Sequence, residues 1–171
     1  MEETELKIRL VGDSVLSGGV KQVEKMTDYH RRVLSAMARF MYEVQGVGLA
    51  APQVGINESL IVVDVGSGLY KLANPEIITC EGESSAEEGC LSVPGVGVKV
   101  KRAKKIMIKA LDEDGKDVSI EAEGLLARAF QHELDHLNGK LIIDHASASE
   151  KARIGKKIEE IKKQYKTQDH A

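Results

Sequence analysis

The sequence predicts an α+β fold in which mostly antiparallel β-sheets pack around a central helix. Another helix lies nearer the N-terminus and a third lies at the C-terminus. Three segments carry apolar residues at steps of three and four, the period of an amphipathic helix. Between the first two of them lie short apolar or alternating segments with the composition of strands. Two of these strands are joined by a tight turn, which favours antiparallel pairing.

The length and charge of the chain limit its class. The 171 residues fit one domain, spanning residues 1–171, with room for a sizeable core. A net charge of −3 argues against specific DNA or an anionic membrane as a partner. No apolar segment approaches the ~20 residues that span a bilayer, and the acidic first residues do not resemble a targeting peptide. With only 2 cysteines and no disulfide framework, the expected location is cytoplasmic.

The first helix is predicted over residues 27–44, with Thr27 or Asp28 placed to cap its start. Its apolar face is formed by Val33, Leu34, Met37, Met41 and Val44. His30 lies in its first turn and is expected to be a solvated surface histidine. Before the helix, residues 6–11 alternate weakly and predict either a short strand or an extended arm.

The glycine-rich segment at residues 46–55 has two interpretations. Its three glycines and Pro52 exclude a plain helix. It is either a tight connection between helix and sheet, or exposed backbone for a substrate strand that also delivers the Gln53 amide to a site.

Strands follow in the middle of the chain, predicted at residues 59–65, 70–78, 96–100, 105–111 and 117–121. The last two form a hairpin around the turn at Gly115. The polar segment at residues 81–89 has no strand pattern and is interpreted as an acidic loop. The basic residues of this region are expected on a solvated face, namely Lys99, Lys101, Arg102, Lys104 and Lys105.

The central helix carries a His-Glu-x-x-His sequence. Because an α-helix turns about 100° per residue, His132 and His136 project from one face, with Glu133 beside them. Such spacing is typical of a metal-binding helix with an acid/base carboxylate near a metal-bound water. The alternative is an ordinary amphipathic helix with two satisfied histidines. Gly139 is placed to end the helix.

The last amphipathic helix is predicted over residues 149–165. Its apolar stripe consists of Ile154, Ile158, Ile161 and Tyr165, and its lysine-rich face is expected to be solvated. Residues 167–171 are expected to fray.

An open catalytic metal site needs three protein ligands, so a third must come from elsewhere in the chain. Cys90 is the better candidate, because it lies in a glycine-flanked acidic loop that the chain can fold over the helix. Cys80 competes, but it ends an apolar strand, where a small buried thiol is the ordinary interpretation. His145 is expected to lie beyond the end of the helix.

Three segments together resemble the motifs of peptide deformylases. They are Gly-Val-Gly-Leu-Ala-Ala-Pro-Gln at residues 46–53, Glu-Gly-Cys-Leu-Ser at 88–92 and Gln-His-Glu-Leu-Asp-His at 131–136. Their order and spacing match the family, and the resemblance weakens only before residue 20 and after residue 146. The short segment between the first two motifs and the helical tail are similar to the compact bacterial class.

The resemblance implies a function for each motif residue. Cys90, His132 and His136 would bind one divalent metal ion. In the family this ion is physiologically Fe2+, with Zn2+, Ni2+ or Co2+ able to occupy the same site. Glu133 would be the general acid/base. The Gln53 amide and the Leu91 backbone N–H would hold the oxyanion of the reaction.

The substrate implied is the N-formylmethionyl end of a nascent peptide near the ribosome, hydrolysed to formate and a free amine by a monomeric enzyme. The peptide would lie as an added strand against Val47, Gly48 and Gly89. An apolar pocket near Val47 would take the methionine, with Leu125, Ala129 and the His132 ring as walls. Arg128 would contribute its aliphatic stem. The acidic pair Glu87-Glu88 is expected to matter less to the metal than Gly89, which permits close backbone approach.

Three other functions compete with this one. A metallopeptidase shares His-Glu-x-x-His, but such enzymes rarely use a thiolate ligand such as Cys90. A binding module with a structural zinc would close the site with four protein ligands, and no convincing fourth is present in the sequence. An inactive relic that only binds formylated peptides would be expected to have lost Glu133, Gln53 or Cys90.

Overall fold

A computed structural model describes residues 5–169 of the chain. Within these residues, seven strands and three α-helices form an α+β fold with two antiparallel sheets. The helices are α1 (Asp28–Glu43), α2 (Gly124–Leu137) and α3 (Ala148–Asp169). The strands are β1 (Gly48–Ala50), β2 (Leu60–Val63), β3 (Tyr70–Glu81), β4 (Ser84–Cys90), β5 (Val93–Arg102), β6 (Lys105–Leu111) and β7 (Asp117–Glu123). The predicted fold class is confirmed.

The larger sheet has five strands in the order β1-β2-β3-β6-β7, each antiparallel to its neighbours. The predicted β6–β7 hairpin is present. Its turn contains Gly115, whose φ of +79° is the left-handed conformation that glycine adopts without strain.

The five-stranded sheet separates α1 from α2. Successive residues of a strand point to opposite faces, and β2 shows the consequence. Leu60 and Val62 pack in one apolar cluster with residues of α1, whereas Ile61 and Val63 pack in another with residues of α2. All four side chains are buried, which explains why this strand is a continuous apolar run instead of an alternating one.

The strands β4 and β5 form a second, two-stranded sheet of their own. The interpretation of residues 81–89 as a loop is therefore wrong, and Cys90 is the last residue of a strand. The strand is polar because much of it is exposed, and its stabilisation includes an opposite-charge pair, with Glu87 directly across from Lys99. Such a strand leaves no apolar pattern in the sequence.

The helix α1 begins at the predicted residue, but His30 is buried and not solvated. Its ring lies over the N-terminus of the helix, where Nδ1 accepts a hydrogen bond from the Thr27 backbone N–H at 3.1 Å. Nε2 lies 3.4 Å from a carboxylate oxygen of Glu58. The ring therefore replaces water as the partner of an otherwise free helix N–H.

The structure also decides two expectations about the N-terminal arm and Cys80. Residues 6–11 form an extended arm and no strand, held by hydrogen bonds from Arg9 N–H to the Gln53 carbonyl (2.6 Å) and from Val11 N–H to the Ser92 carbonyl (2.9 Å). Cys80 is exposed and not buried, like its neighbours at the end of β3.

The helix α3 packs Ile154 and Ile161 against the apolar face of β5. The helix continues to Asp169, so the predicted fraying is wrong for residues 167–169, while residues 170 and 171 lie outside the described part of the chain. No helix within residues 5–169 is long and apolar enough to cross a membrane.

Candidate active site

Two elements bring the three predicted metal ligands together. The Cys90 side chain comes from the end of β4, and His132 and His136 come from one face of α2. His136 Nε2 lies 3.4 Å from Cys90 Sγ and 3.2 Å from His132 Nε2. The three candidate ligand atoms all lie within 4.8 Å of one another. One sulfur and two imidazole nitrogens thus converge on a single point, a group that is able to hold a metal ion.

The chemistry of these donors fits a divalent transition metal. A thiolate with two imidazoles suits zinc or ferrous iron. The His132 ring is also oriented as a ligand, because its Nδ1–H donates to Glu88 Oε1 at 2.9 Å, which leaves Nε2 free to face Cys90. A carboxylate in this position is the usual partner of a metal-binding histidine.

The surroundings of His132 favour positive charge on its ring, whereas those of His136 do not. Burial alone would lower the pKa of His132, but the negative charges of Glu133 and Cys90, with hydrogen bonds to Cys90 and Glu88, raise it to about 11. Burial holds the pKa of His136 well below its usual value, helped by the charge of His132. The surroundings of His132 therefore attract a cation, whether it is a proton or a metal ion.

Glu133 is buried against the backbone of β1. Burial raises the pKa of its carboxyl group to about 7. Its Oε1 has no hydrogen-bond partner among the described residues. A side chain at Gly48 would meet the Glu133 carboxylate, so the glycine leaves room for that carboxylate in its present position. A carboxyl group that exchanges its proton near neutral pH and keeps one oxygen free is suited to general acid/base chemistry.

The Gln53 amide is fixed beside the metal-capable group. Its Oε1 accepts a hydrogen bond from the Ala50 N–H at 3.0 Å. Its Nε2 consequently faces the site, 3.3 Å from Ser92 Oγ and 3.7 Å from Cys90 Sγ. Ser92 is fully buried and supports this orientation, a role that the sequence analysis did not assign. The short turn at Ala51–Val54 therefore delivers the Gln53 amide to the site, as one of the two interpretations predicted.

A network of buried charges surrounds Glu88. Arg102 donates to both of its carboxylate oxygens at 3.0 and 2.9 Å, and Arg128 donates to Oε2 at 2.6 Å. Burial alone would raise the pKa of Glu88, but hydrogen bonds from His132 and Arg102 hold it well below its usual range. Arg102 also donates to Asp135 at 2.6 Å.

This network bears on two expectations. Glu88 contacts the candidate ligand His132, and its weight at the metal relative to Gly89 stays a prediction. The expectation for Arg102 is wrong. Arg102 is 6% exposed and is not part of a solvated face. The alternation of β5 contained a signal for it, since Arg102 follows Val96, Val98 and Val100 at every second position on the inward face. His145 lies beyond α2, as predicted, and contacts Asp135 at 2.8 Å.

A cleft of about 560 Å³ opens between β1, β4 and α2. The predicted substrate-binding residues all line it, namely Val47, Gly48, Gly89, Leu125, Arg128 and Ala129. Gln53, Cys90, Leu91, His132 and Glu133 line it as well, while His136 lies behind them. Six further residues line the cleft and were not predicted as site residues, namely Gln45, Gly46, Glu87, Glu88, Pro94 and Gly95. The structure therefore brings the predicted site residues to one cleft, and their individual roles stay predictions.

Comparison with known proteins gives one consistent result. The Polypeptide deformylase family model matches residues 5–152. A peptide deformylase from Halothermothrix orenii is 52% identical over 155 residues, covering 90% of this chain and 97% of that protein. The crystal structure of a peptide deformylase from Legionella pneumophila has a TM-score of 0.87 at 40% identity, covering 94% of this chain and 96% of that chain.

A solved peptide deformylase from Synechococcus elongatus, in complex with actinonin, has a TM-score of 0.86 at 40% identity. That likeness covers 92% of this chain and 88% of that one. The matches extend over nearly the whole length of both partners, so they include the cleft and the metal-capable group. The resemblance seen in the three motifs is confirmed: the chain belongs to the peptide deformylase family of enzymes.

Proposed function

We propose that this enzyme is a metal-dependent hydrolase that removes the N-formyl group from the N-terminal methionine of newly synthesised polypeptides and releases formate. The observation that carries the proposal is the convergence of Cys90 Sγ with the Nε2 atoms of two histidines, directly beside the buried Glu133. The cleft brings together the groups that hydrolysis of an amide requires, which are an acid/base carboxylate, a metal-capable group and a donor for the oxyanion.

One divalent ion per chain would be held by Cys90, His132 and His136. When bound, it supplies Lewis acidity that polarises the formyl oxygen and lowers the pKa of water to about 7. By the resemblance, we propose Fe2+ as the native ion, with Zn2+, Ni2+ or Co2+ as substitutes.

Glu133 moves the proton in this proposal. Its free Oε1 accepts a proton from the attacking water and passes it to the nitrogen of the departing amine. The raised pKa suits both halves of that transfer, since the carboxyl group gains and loses a proton near neutral pH.

The oxyanion formed from the formyl carbonyl receives hydrogen bonds from Gln53 Nε2 and the Leu91 backbone N–H. The Gln53 amide is already turned toward the site by Ala50 and Ser92, so no reorganisation is needed at the moment of reaction. One donor of this kind is worth about 3–4 kcal/mol in other hydrolases.

The substrate lies as an added strand in the cleft, between the backbone of β1 at Val47 and Gly48 and the backbone of β4 at Gly89. Backbone pairing reads no side chains, which suits an enzyme that acts on many nascent peptides. The methionine side chain enters the pocket formed by Leu125, Ala129 and the stem of Arg128. We propose a monomer that works in the cytoplasm close to the ribosome.

The test is a formate-release assay on a formyl-Met tripeptide, with metal-free protein reloaded anaerobically with Fe2+ or Zn2+. We expect formate with each ion, none without metal, and loss in air of the iron form alone. Cys90→Ser is expected to lose metal, and Cys80→Ser, the matched control at an exposed thiol, to retain it. Hydrolysis of internal peptide bonds without formate release would instead indicate a metallopeptidase.

A further inference from the structure

The Arg128 guanidinium joins α2 to the separate β4–β5 hairpin. Its Nη1 donates to Glu88 Oε2 at 2.6 Å and to the Val100 carbonyl at 3.0 Å, and its Nη2 donates to the Ser84 carbonyl at 2.7 Å. The hairpin is not hydrogen-bonded into the five-stranded sheet. Arg128 therefore connects the element that carries Cys90 with the element that carries both histidines.

The same side chain also lines the cleft. Only 14% of it is exposed, and its three hydrogen bonds fix the guanidinium, so the rest of the side chain has little freedom. A substrate side chain that enters between Leu125 and Ala129 contacts a pocket wall that is held in place from its far end.

Glu88 links the Arg128 guanidinium to the metal-capable group. It accepts from Arg128 on Oε2 and from His132 Nδ1 on Oε1. A carboxylate is planar and rigid, so moving one oxygen moves the other. Arg102 contacts both oxygens from the hairpin itself, whereas Arg128 holds Glu88 from α2.

We propose that Arg128 is a positioning residue that couples the substrate pocket to the metal ligand His132. Its stem shapes the pocket wall, and its guanidinium holds the carboxylate that orients the ligand. Selectivity for the first side chain and retention of the metal therefore change together when the guanidinium is removed. The selectivity half of this inference rests on the proposed function, and the metal half does not.

The experiment compares Arg128→Met, which keeps an apolar stem, with Arg128→Lys, which keeps the charge but not the fork of donors. The matched control is Arg153→Met, because Arg153 also donates to a carbonyl of this hairpin, Gly97 at 3.1 Å, but from the outer helix α3. Three quantities are measured: Zn2+ affinity by chelator competition, the ratio of kcat/KM for formyl-Met over formyl-Ala tripeptides, and the unfolding midpoint.

We expect Arg128→Met to lose about tenfold in Zn2+ affinity, the lower end of the effect of removing a partner of a metal ligand. The formyl-Met over formyl-Ala ratio is expected to fall at least about threefold, the size of a modest change in an apolar pocket. For Arg128→Lys, the Zn2+ affinity and the formyl-Met over formyl-Ala ratio are expected to lie between those of Arg128→Met and the wild type. For Arg153→Met, both are expected to equal the wild-type values.

A double-mutant cycle tests the route through Glu88. In a Glu88→Gln background, adding Arg128→Met is expected to change Zn2+ affinity by less than about twofold, since the ionised carboxylate that Arg128 holds is already gone. A full effect of Arg128→Met in that background overturns the coupling. If Arg128→Met does not fold, Arg128→Lys replaces it in the cycle.

Unchanged Zn2+ affinity and unchanged selectivity in Arg128→Met also overturn the inference, including when the unfolding midpoint falls, because the role is then structural only. If the wild type does not deformylate formyl peptides, the proposed function fails. The Zn2+ affinities still decide whether Arg128 acts on His132.

Discussion

Both sides of the five-stranded sheet have an apolar core, but the α2 side adds a boundary of buried charges. On the α1 side, the core consists of apolar residues such as Leu34, Met37 and Leu60, all fully buried. On the α2 side, the boundary with the β4–β5 hairpin contains buried charges, with Glu88 and Arg102 each less than 10% exposed. Apolar burial has no direction and tolerates changes of similar volume, whereas a buried ion pair fails when either partner is lost. The side that carries the site is therefore the less forgiving one.

The largest effect is expected at the reacting carboxylate. Glu133→Ala should lower kcat by about 10²–10⁴-fold, the usual contribution of general acid/base catalysis. Bound metal should remain, because the carboxylate is not one of the three ligands. Formate release and metal content are measured on one sample. Glu121→Ala, on the exposed side of β7, is the control. Activity of Glu133→Ala within about tenfold of the wild type would contradict the assigned role.

The charged boundary is tested by Arg102→Met. Removing the guanidinium takes one partner from the buried Glu88 and one from the half-buried Asp135, which costs about 3–5 kcal/mol of the free energy of unfolding. Denaturant unfolding of the metal-free protein measures the loss. Lys101→Met is the matched control, because the neighbouring Lys101 forms only an exposed pair with Glu83. Equal stability of the two variants would mean that the buried pairs contribute nothing particular.

The apolar side is tested by Leu34→Ala, with an expected loss of about 2–5 kcal/mol from the cavity that it leaves. Leu34→Met should cost less than about 1.5 kcal/mol, since volume is conserved. Neither variant should change Zn2+ affinity, because this core lies on the face of the sheet away from the histidines. A Zn2+ affinity altered more than about twofold would show that the two sides are energetically coupled.

The smallest effect is expected on the pH dependence of stability, through the contact of Tyr165 on α3 with Asp13 near the N-terminus. Burial alone would raise the pKa of Asp13, but hydrogen bonds from the Tyr165 hydroxyl and the Val15 N–H lower it. A carboxyl group with a lowered folded-state pKa adds stability above its unfolded pKa of about 3.9. That stability is lost as pH falls through the folded pKa. The free energy of unfolding of Asp13→Asn should therefore fall less than that of the wild type when the pH is lowered. Asp117→Asn, at an exposed aspartate, is the control and should behave as the wild type does.

The same contrast explains how much was predictable from sequence. The helices have apolar residues at a period of three to four, and the strands β2, β3, β5, β6 and β7 contain apolar runs or alternation, so their existence was predicted. The metal ligands were predicted because helical spacing and the family resemblance agree. The strand β4 was missed, because its stability comes from cross-strand polar pairs and not from apolar burial. Arg102 and His30 were misplaced, because a charged or titratable residue is buried only when partners distant in the sequence are present.

The separate β4–β5 hairpin has a consequence for the order of folding. The helix α2 follows β7 directly, and the hairpin closes on itself, so both form through contacts that are local in the chain. Cys90 and His136, by contrast, are 46 residues apart and meet only when the two units dock. Closing so long a loop is slow relative to local pairing. Capture of the ion is therefore expected as one of the last events of folding, so stopped-flow metal uptake would time the docking step.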